Sequence, residues 1–141
     1  MTPEQITLVQ SSFASLGPDL PTMATRFYEK LFGRDPALRD LFTIELAEQE
    51  VKFAEKLTEI VRAISNLDEL LVQTRALGAR HAGYGVRAAA YNTVGAALLD
   101  ALAAVLGEAF DGPTREAWAV AYSLVAETML QGAATARTIE T

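Results

Sequence analysis

The chain contains no cysteine and only one histidine, His81, among its 141 residues. Without cysteine there can be no disulfide, which agrees with a reducing cytoplasm as the expected compartment. Soft metal ligands are nearly missing, so any metal chemistry has to run through one imidazole. A zinc site takes three or four protein ligands, several of them usually His or Cys. A haem iron takes one, because the porphyrin supplies four nitrogens. The scarcity points to haem or to no metal. Positive charge is short as well: 12 Lys and Arg against 18 Asp and Glu leave a formal net charge of −6. That balance disfavours nucleic acid and anionic membrane as partners. Long apolar runs are missing too, and the quiet stretch Ala88 to Leu99 reads as too short and too rich in alanine to span a bilayer. The start, Met1 to Gln5, has neither the basic region nor the apolar core of a signal peptide. Nothing resembles a repeat, a linker or a low-complexity segment, and the length suits one domain over residues 1–141.

What is present reads as helix almost throughout. Thr2, Pro3 and Gln5 form a helix start with a capping box, and Ile6, Val9, Phe13 and Leu16 follow at three- and four-residue steps until Gly17-Pro18. A second helix spans about Pro21 to Gly33, with Ala24, Phe27, Tyr28 and Leu31 inward. Asp35-Pro36 starts a short third helix ending near Leu41-Phe42. Leu46, Gln49, Phe53, Leu57, Ile60 and Ile64 make one stripe on a helix of about Glu45 to Ser65. After a break at Asn66-Leu67-Asp68, the residues Leu67, Leu70, Thr74, Leu77 and His81 make another, closed by Gly83 and Gly85. Tyr91, Val94, Leu98, Leu102 and Val105 mark a helix from about Val86 to Leu106, and Asp111-Gly112-Pro113 opens the last, with Trp118, Tyr122, Val125 and Met129. No segment alternates with period two for long enough to be a strand. The expectation is an all-α chain of about seven helices. Their uneven lengths argue against a regular four-helix bundle and for packing around a central pocket.

Four polar residues, Tyr28, Gln49, His81 and Tyr91, lie on otherwise apolar faces of four helices. Each is costly to bury without a hydrogen-bond partner, so together they suggest convergence on something polar inside. Each also has a plainer reading. His81 suits the C-terminal dipole of its helix. The tyrosines suit a rim, body inward and hydroxyl wet. Gln49 suits a solvated helix start, and Lys52 and Lys56 suit a solvated face with Glu48 and Glu55.

Taken together these segments resemble the globin family, namely the bacterial single-domain globins, the neuroglobin-like globins and the flavohaemoglobins. Phe27 to Phe32 resembles the B helix with its distal tyrosine; Leu41-Phe42 resembles the corner phenylalanine that packs on the porphyrin. Gln49 to Phe53 is similar to the E-helix segment whose glutamine lines the distal pocket, and Leu77 to Val86 to the F helix with its proximal histidine. Tyr91 to Gly95, Leu106 to Phe110, and Ala117-Trp118 with Tyr122 continue the likeness through the last two helices.

The resemblance implies a three-over-three helical fold around haem b, with His81 as the proximal iron ligand. It implies Tyr28, Gln49 and Phe53 on the distal side, Gln49 lying 32 residues before His81. Phe42, Lys52, Phe53, Arg80, Tyr84, Val86, Tyr91 and Val94 would complete the contacts with the cofactor, Lys52 and Arg80 near the propionates. A tyrosine hydroxyl and a glutamine amide both donate hydrogen bonds, and donors in a dry pocket favour dioxygen over a neutral ligand. Tight O₂ binding with slow release is expected, with NO and CO as further ligands. No second histidine exists, so bis-histidyl iron is impossible within one chain; the sixth position is left to water, an external ligand, Tyr28 or Lys52. The flavohaemoglobins pair the proximal histidine with a tyrosine, which Tyr91 matches, and with a carboxylate at a position that aligns near Ala133. Without that carboxylate peroxidase-like chemistry is disfavoured. The length leaves no space for a flavin reductase domain, so NO dioxygenation would draw on an external reductase. Oxygen binding, NO dioxygenation and a haem-based sensor or haem-free module stay open, for a monomer or weak homodimer.

Overall fold

Thr2 Oγ1 accepts the Gln5 N–H at 3.1 Å while Gln5 Oε1 accepts the Thr2 N–H at 2.9 Å, the reciprocal cap read from the sequence. The helix it starts, α1, runs over Pro3–Leu16 in the computed structural model. It is followed by α2 (Leu20–Arg34), α3 (Leu46–Ala63), α4 (Leu67–Gly83), α5 (Ala90–Leu106) and α6 (Gly112–Glu140). Short 3-10 segments lie at Gly17–Asp19, Pro36–Leu41 and Gly107–Ala109. The structure describes every residue except Thr43, 84–88 and Thr141, and no side chain at 82, 83 or 135–140. The described residues contain six α-helices and no strand.

Local chemistry explains where the elements stop. α1 and α5 end at Gly17 (φ +48°) and Gly107 (φ +58°), backbone states that residues with a side chain rarely adopt. The expected third helix is a 3-10 segment: Asp35 Oδ1 accepts the Ala37 N–H at 3.2 Å, and six residues give too few i→i−4 bonds to prefer the α form. The break between α3 and α4 falls at 64–66 rather than 66–68. Asn66 Oδ1 accepts the Glu69 N–H at 3.3 Å, so Asn66 acts as a cap and Leu67 already belongs to the helix. Leu46 and Leu67, expected inward, are 37% and 55% exposed. Both occupy the first position of their helix, where the stripe extends past the edge of the core.

α4 packs mainly on α6 and α2 mainly on α5, with α1 laid on α6 and α3 on α2. The core they share includes Val9, Leu16, Met23, Phe27, Leu31, Leu102 and Trp118, all at most 3% exposed. Contrary to the sequence expectation, residues 90–109 are long and apolar enough to cross a membrane by length and composition, at mean hydropathy 1.4. Asp100, the charge that ended the quiet stretch, is paired outward with Arg34 at 2.6 Å, while Tyr91, Leu98, Ala101 and Leu102 are buried in the core.

Two polar ties cross the core. Gln10 Nε2 donates to the Val61 carbonyl at 3.1 Å, holding α1 to the end of α3. Trp118 Nε1 donates to Ser12 Oγ at 2.8 Å, and Ser12 Oγ donates to the Leu8 carbonyl at 2.6 Å. Because Trp118 is only 3% exposed, Ser12→Ala leaves its N–H buried without an acceptor. The expected loss is about 1–3 kcal/mol, measured by urea unfolding, and it shrinks when Trp118→Phe is made in the same chain.

Candidate functional site

Between α2, α3, α4, α5 and α6 lies a largely apolar cavity of about 530 Å³, within the range of small-molecule and cofactor sites. Nine of the eleven residues expected at the site line it. Tyr28 comes from α2, Gln49, Lys52 and Phe53 from α3, Arg80 and His81 from α4, Tyr91 and Val94 from α5, and Phe42 from the link before α3. The remaining two, Tyr84 and Val86, lie outside the described residues.

One wall is aromatic. The Phe27 and Phe53 rings stack at 4.2 Å with 4° between their planes. Tyr28 meets Phe42 edge-on at 5.6 Å and Phe53 edge-on at 5.8 Å, and Phe32 closes the group against Phe42 at 5.6 Å. Such pairs add about 0.5–1.5 kcal/mol each beyond the area they bury. They also take the Tyr28 side chain out of water, leaving it 3% exposed. Burial therefore pushes the Tyr28 phenol up to about 12; a side-chain hydrogen bond with Gln49 pulls the other way and the Glu50 charge pushes it up further. At neutral pH Tyr28 keeps its proton and lines the cavity.

His81 stands on the other helix pair. Its Nδ1 lies 2.8 Å from the Leu77 carbonyl one turn back. With the proton on Nδ1 as the donor, Nε2 carries the lone pair that a metal takes. Desolvation pushes the imidazole below its ordinary pKa, the Leu77 bond opposes this and Arg80 adds to it, so the ring is neutral at pH 7.

Cations sit at the mouth. Lys52, Lys56 and Arg80 all line the cavity. Lys56 pairs with Glu59 at 2.8 Å. Glu59 is held below the usual carboxylate range chiefly by the Lys56 hydrogen bond and charge, with Arg80 contributing. On the floor, the Tyr122 hydroxyl donates to the Tyr91 carbonyl, and its ring fills the space above Gly95 where a Cβ would stand. Lys56, Tyr122, Leu98, Trp118 and Met129 line the cavity without having been expected there. The helical stripes already held the last four, but a stripe does not say which of its residues reaches a pocket. Ala133 is buried at 2% exposure on α6.

No group of three or more His, Cys, Asp or Glu among the described residues is placed to hold a bare metal ion. A porphyrin brings four nitrogens of its own, and needs from the protein one neutral imidazole, an apolar slot and cations for its acidic edge. The cavity offers all three.

The globin family profile matches residues 25–129. Among curated proteins, the neuroglobin of Dissostichus mawsoni is 32% identical over 142 aligned positions, covering 89% of this chain and 87% of that protein. The flavohemoprotein of Vibrio cholerae is 26% identical, covering 92% of this chain but 34% of its own length, so the chain spans about a third of that relative. Among solved structures, an engineered carbene transferase from Rhodothermus marinus, described as a candidate nitric oxide dioxygenase, superposes with a TM-score of 0.88 at 28% identity. That match covers 99% of this chain and 97% of the other.

The raised Tyr28 pKa gives a stability prediction with a definite sign. The group is protonated in both states below pH 10, so it costs nothing there. Between pH 10 and 12 the unfolded phenol ionises while the folded one does not, and stability falls, by about 1 kcal/mol at pH 11 from this residue. Urea midpoints at pH 9 and pH 11 should show a smaller loss in Tyr28→Phe than in the parent chain.

Proposed function

The chain belongs to the globin family, and on that premise we propose that it holds one haem b in the cavity and binds dioxygen reversibly, with NO and CO as competing ligands. The observation that carries this reading is the shared cavity: a neutral imidazole tied back to its own helix, together with two neutral donors, Tyr28 and Gln49. Haem supplies an iron with a coordination position for a diatomic gas. His81 contributes Nε2 as the protein ligand. Tyr28 and Gln49 offer hydrogen bonds to a ligand that draws negative charge, while Phe42 and Phe53 keep water out. Lys52, Lys56 and Arg80 offer charge-assisted bonds to the two propionates. Tyr91 and Val94 complete the contacts with the ring. We read residues 1–141 as one globin domain working in the cytoplasm, as a monomer or weak homodimer.

The likeness to the Rhodothermus marinus protein, described as a candidate nitric oxide dioxygenase, favours a second reading, oxidation of NO to nitrate by dioxygen. Here the chain would take electrons from an external reductase.

The purified protein is expected to show a Soret band that is lost in His81→Gly and restored by added imidazole. A colourless protein that takes up no haem refutes the reading. Loss of one hydrogen bond to a charged acceptor is worth about 1.5–3 kcal/mol, so Tyr28→Phe should speed O₂ release roughly ten- to a hundredfold. Mixing the oxygenated protein with NO in a stopped-flow device, then following re-reduction in cell extract, separates the two readings. Rapid re-reduction favours the dioxygenase and slow re-reduction favours oxygen binding.

A further inference from the structure

α4 and α6, the most extensive helix pair in the fold, meet main chain to main chain. A Cβ at Gly78 would overlap the Met129 backbone carbonyl, and a Cβ at Gly132 would overlap the Arg75 backbone carbonyl. The two contacts are three residues apart on each helix and run in opposite senses, 75 against 132 and 78 against 129. This is an antiparallel seam with each helix supplying one glycine. Helix propensity favours alanine over glycine at both positions, so local structure does not account for them. Two threonines buried on these helices turn their hydroxyls back onto their own helix. Thr74 Oγ1 donates to the Leu70 carbonyl at 2.8 Å and Thr128 Oγ1 to the Leu124 carbonyl at 2.9 Å. At the glycines the approach of the helices is a matter of shape.

His81 lies three residues beyond Gly78, and its Nδ1 is bonded to the carbonyl of Leu77, the residue before Gly78. The ring is therefore coupled to the main chain of α4 next to the seam. Met129, whose carbonyl fills the space at Gly78, also lines the cavity that His81 lines.

We infer that Gly78 and Gly132 are positioning residues for His81: by letting the two backbones touch, they set where α4 holds the imidazole in the cavity. The inference rests on the reading of His81 as the iron ligand. A methyl group at either glycine has to be brought to van der Waals distance from a carbonyl, which parts the helices by roughly 1 Å or more and moves the imidazole with α4. The consequence for the loaded protein is a changed iron–histidine bond, and supporting groups of this kind are worth about 10–100-fold in affinity for the group they hold.

The test is resonance Raman spectroscopy of the ferrous, ligand-free haem protein. Gly78→Ala and Gly132→Ala, each checked for helix content, should both displace the iron–histidine stretching band and speed haem loss about tenfold or more. In the His81→Gly background with free imidazole as ligand, the same substitutions should leave the iron–imidazole band in place, because that ligand is not carried by α4. An unmoved band in the folded single variants overturns the inference, and so does an equal displacement in the imidazole-rescued background. Should neither alanine variant fold, the parent band is compared with that of imidazole-rescued His81→Gly. A difference supports a helix-imposed position, and coincident bands overturn it. If the parent protein binds haem but shows no iron–histidine band at all, it is the assignment of His81 as ligand that fails.

Discussion

The site depends first on the burial of one hydroxyl among aromatic rings. Tyr28 is enclosed by Phe42 and Phe53, with Phe27 stacked on Phe53 behind it. The rings come from α2, α3 and the 3-10 link between them, so their packing fixes the wall of the cavity and the course of the chain at once. The same packing removes water from the phenol and keeps it protonated. A pocket wall of aliphatic side chains would fill the space equally well. It would lack the edge-on geometry that holds the tyrosine ring in one orientation.

The opposite side is organised by main chain rather than by side chains. His81 is bonded to the Leu77 carbonyl, and α4 is seated on α6 through Gly78 and Gly132. Flavohaemoglobins are expected to place a carboxylate behind the imidazole. The sequence aligns that position near Ala133, which is buried on α6 next to Gly132, whose Cβ site is taken by the Arg75 carbonyl. A carboxylate behind a metal-bound imidazole raises its basicity, and a backbone carbonyl such as that of Leu77 does so less.

Much of this was legible in the sequence because helices repeat. Val9, Leu16, Phe27 and Leu31 could be read as core from their spacing, and Thr2 with Gln5 as a cap from chemistry that operates within four residues. The residues Tyr28, Gln49, His81 and Tyr91 stood out because each interrupts an apolar stripe, and all four line one cavity. Most of what escaped depends on contacts distant in sequence. Leu46 and Leu67 obey the periodicity yet extend beyond the core, since a stripe carries no information about where its partner helix ends. Glu59 is the partner of Lys56 because the two lie three residues apart on one helix, a spacing that puts both on the same face. Gly78 and Gly132 interrupt no pattern that the sequence shows, and only the approach of the second helix gives them a purpose. Tyr122 was visible as a stripe residue, but its bond to Tyr91 spans 31 residues.

Burial shifts Tyr28 and His81 in opposite directions and leaves both neutral. Tyr28 is an acid whose charged form is disfavoured, so its pKa rises; His81 is a base whose charged form is disfavoured, so its pKa falls. At pH 7 the phenol keeps its proton to donate and the imidazole keeps its lone pair. The charged groups Lys52, Lys56 and Arg80 are held at the mouth, where water screens them. A chain of net charge −6 thus surrounds this apolar cavity with cations at the opening and neutral polar groups within. That ordering suits a cofactor with an acidic edge and an apolar body.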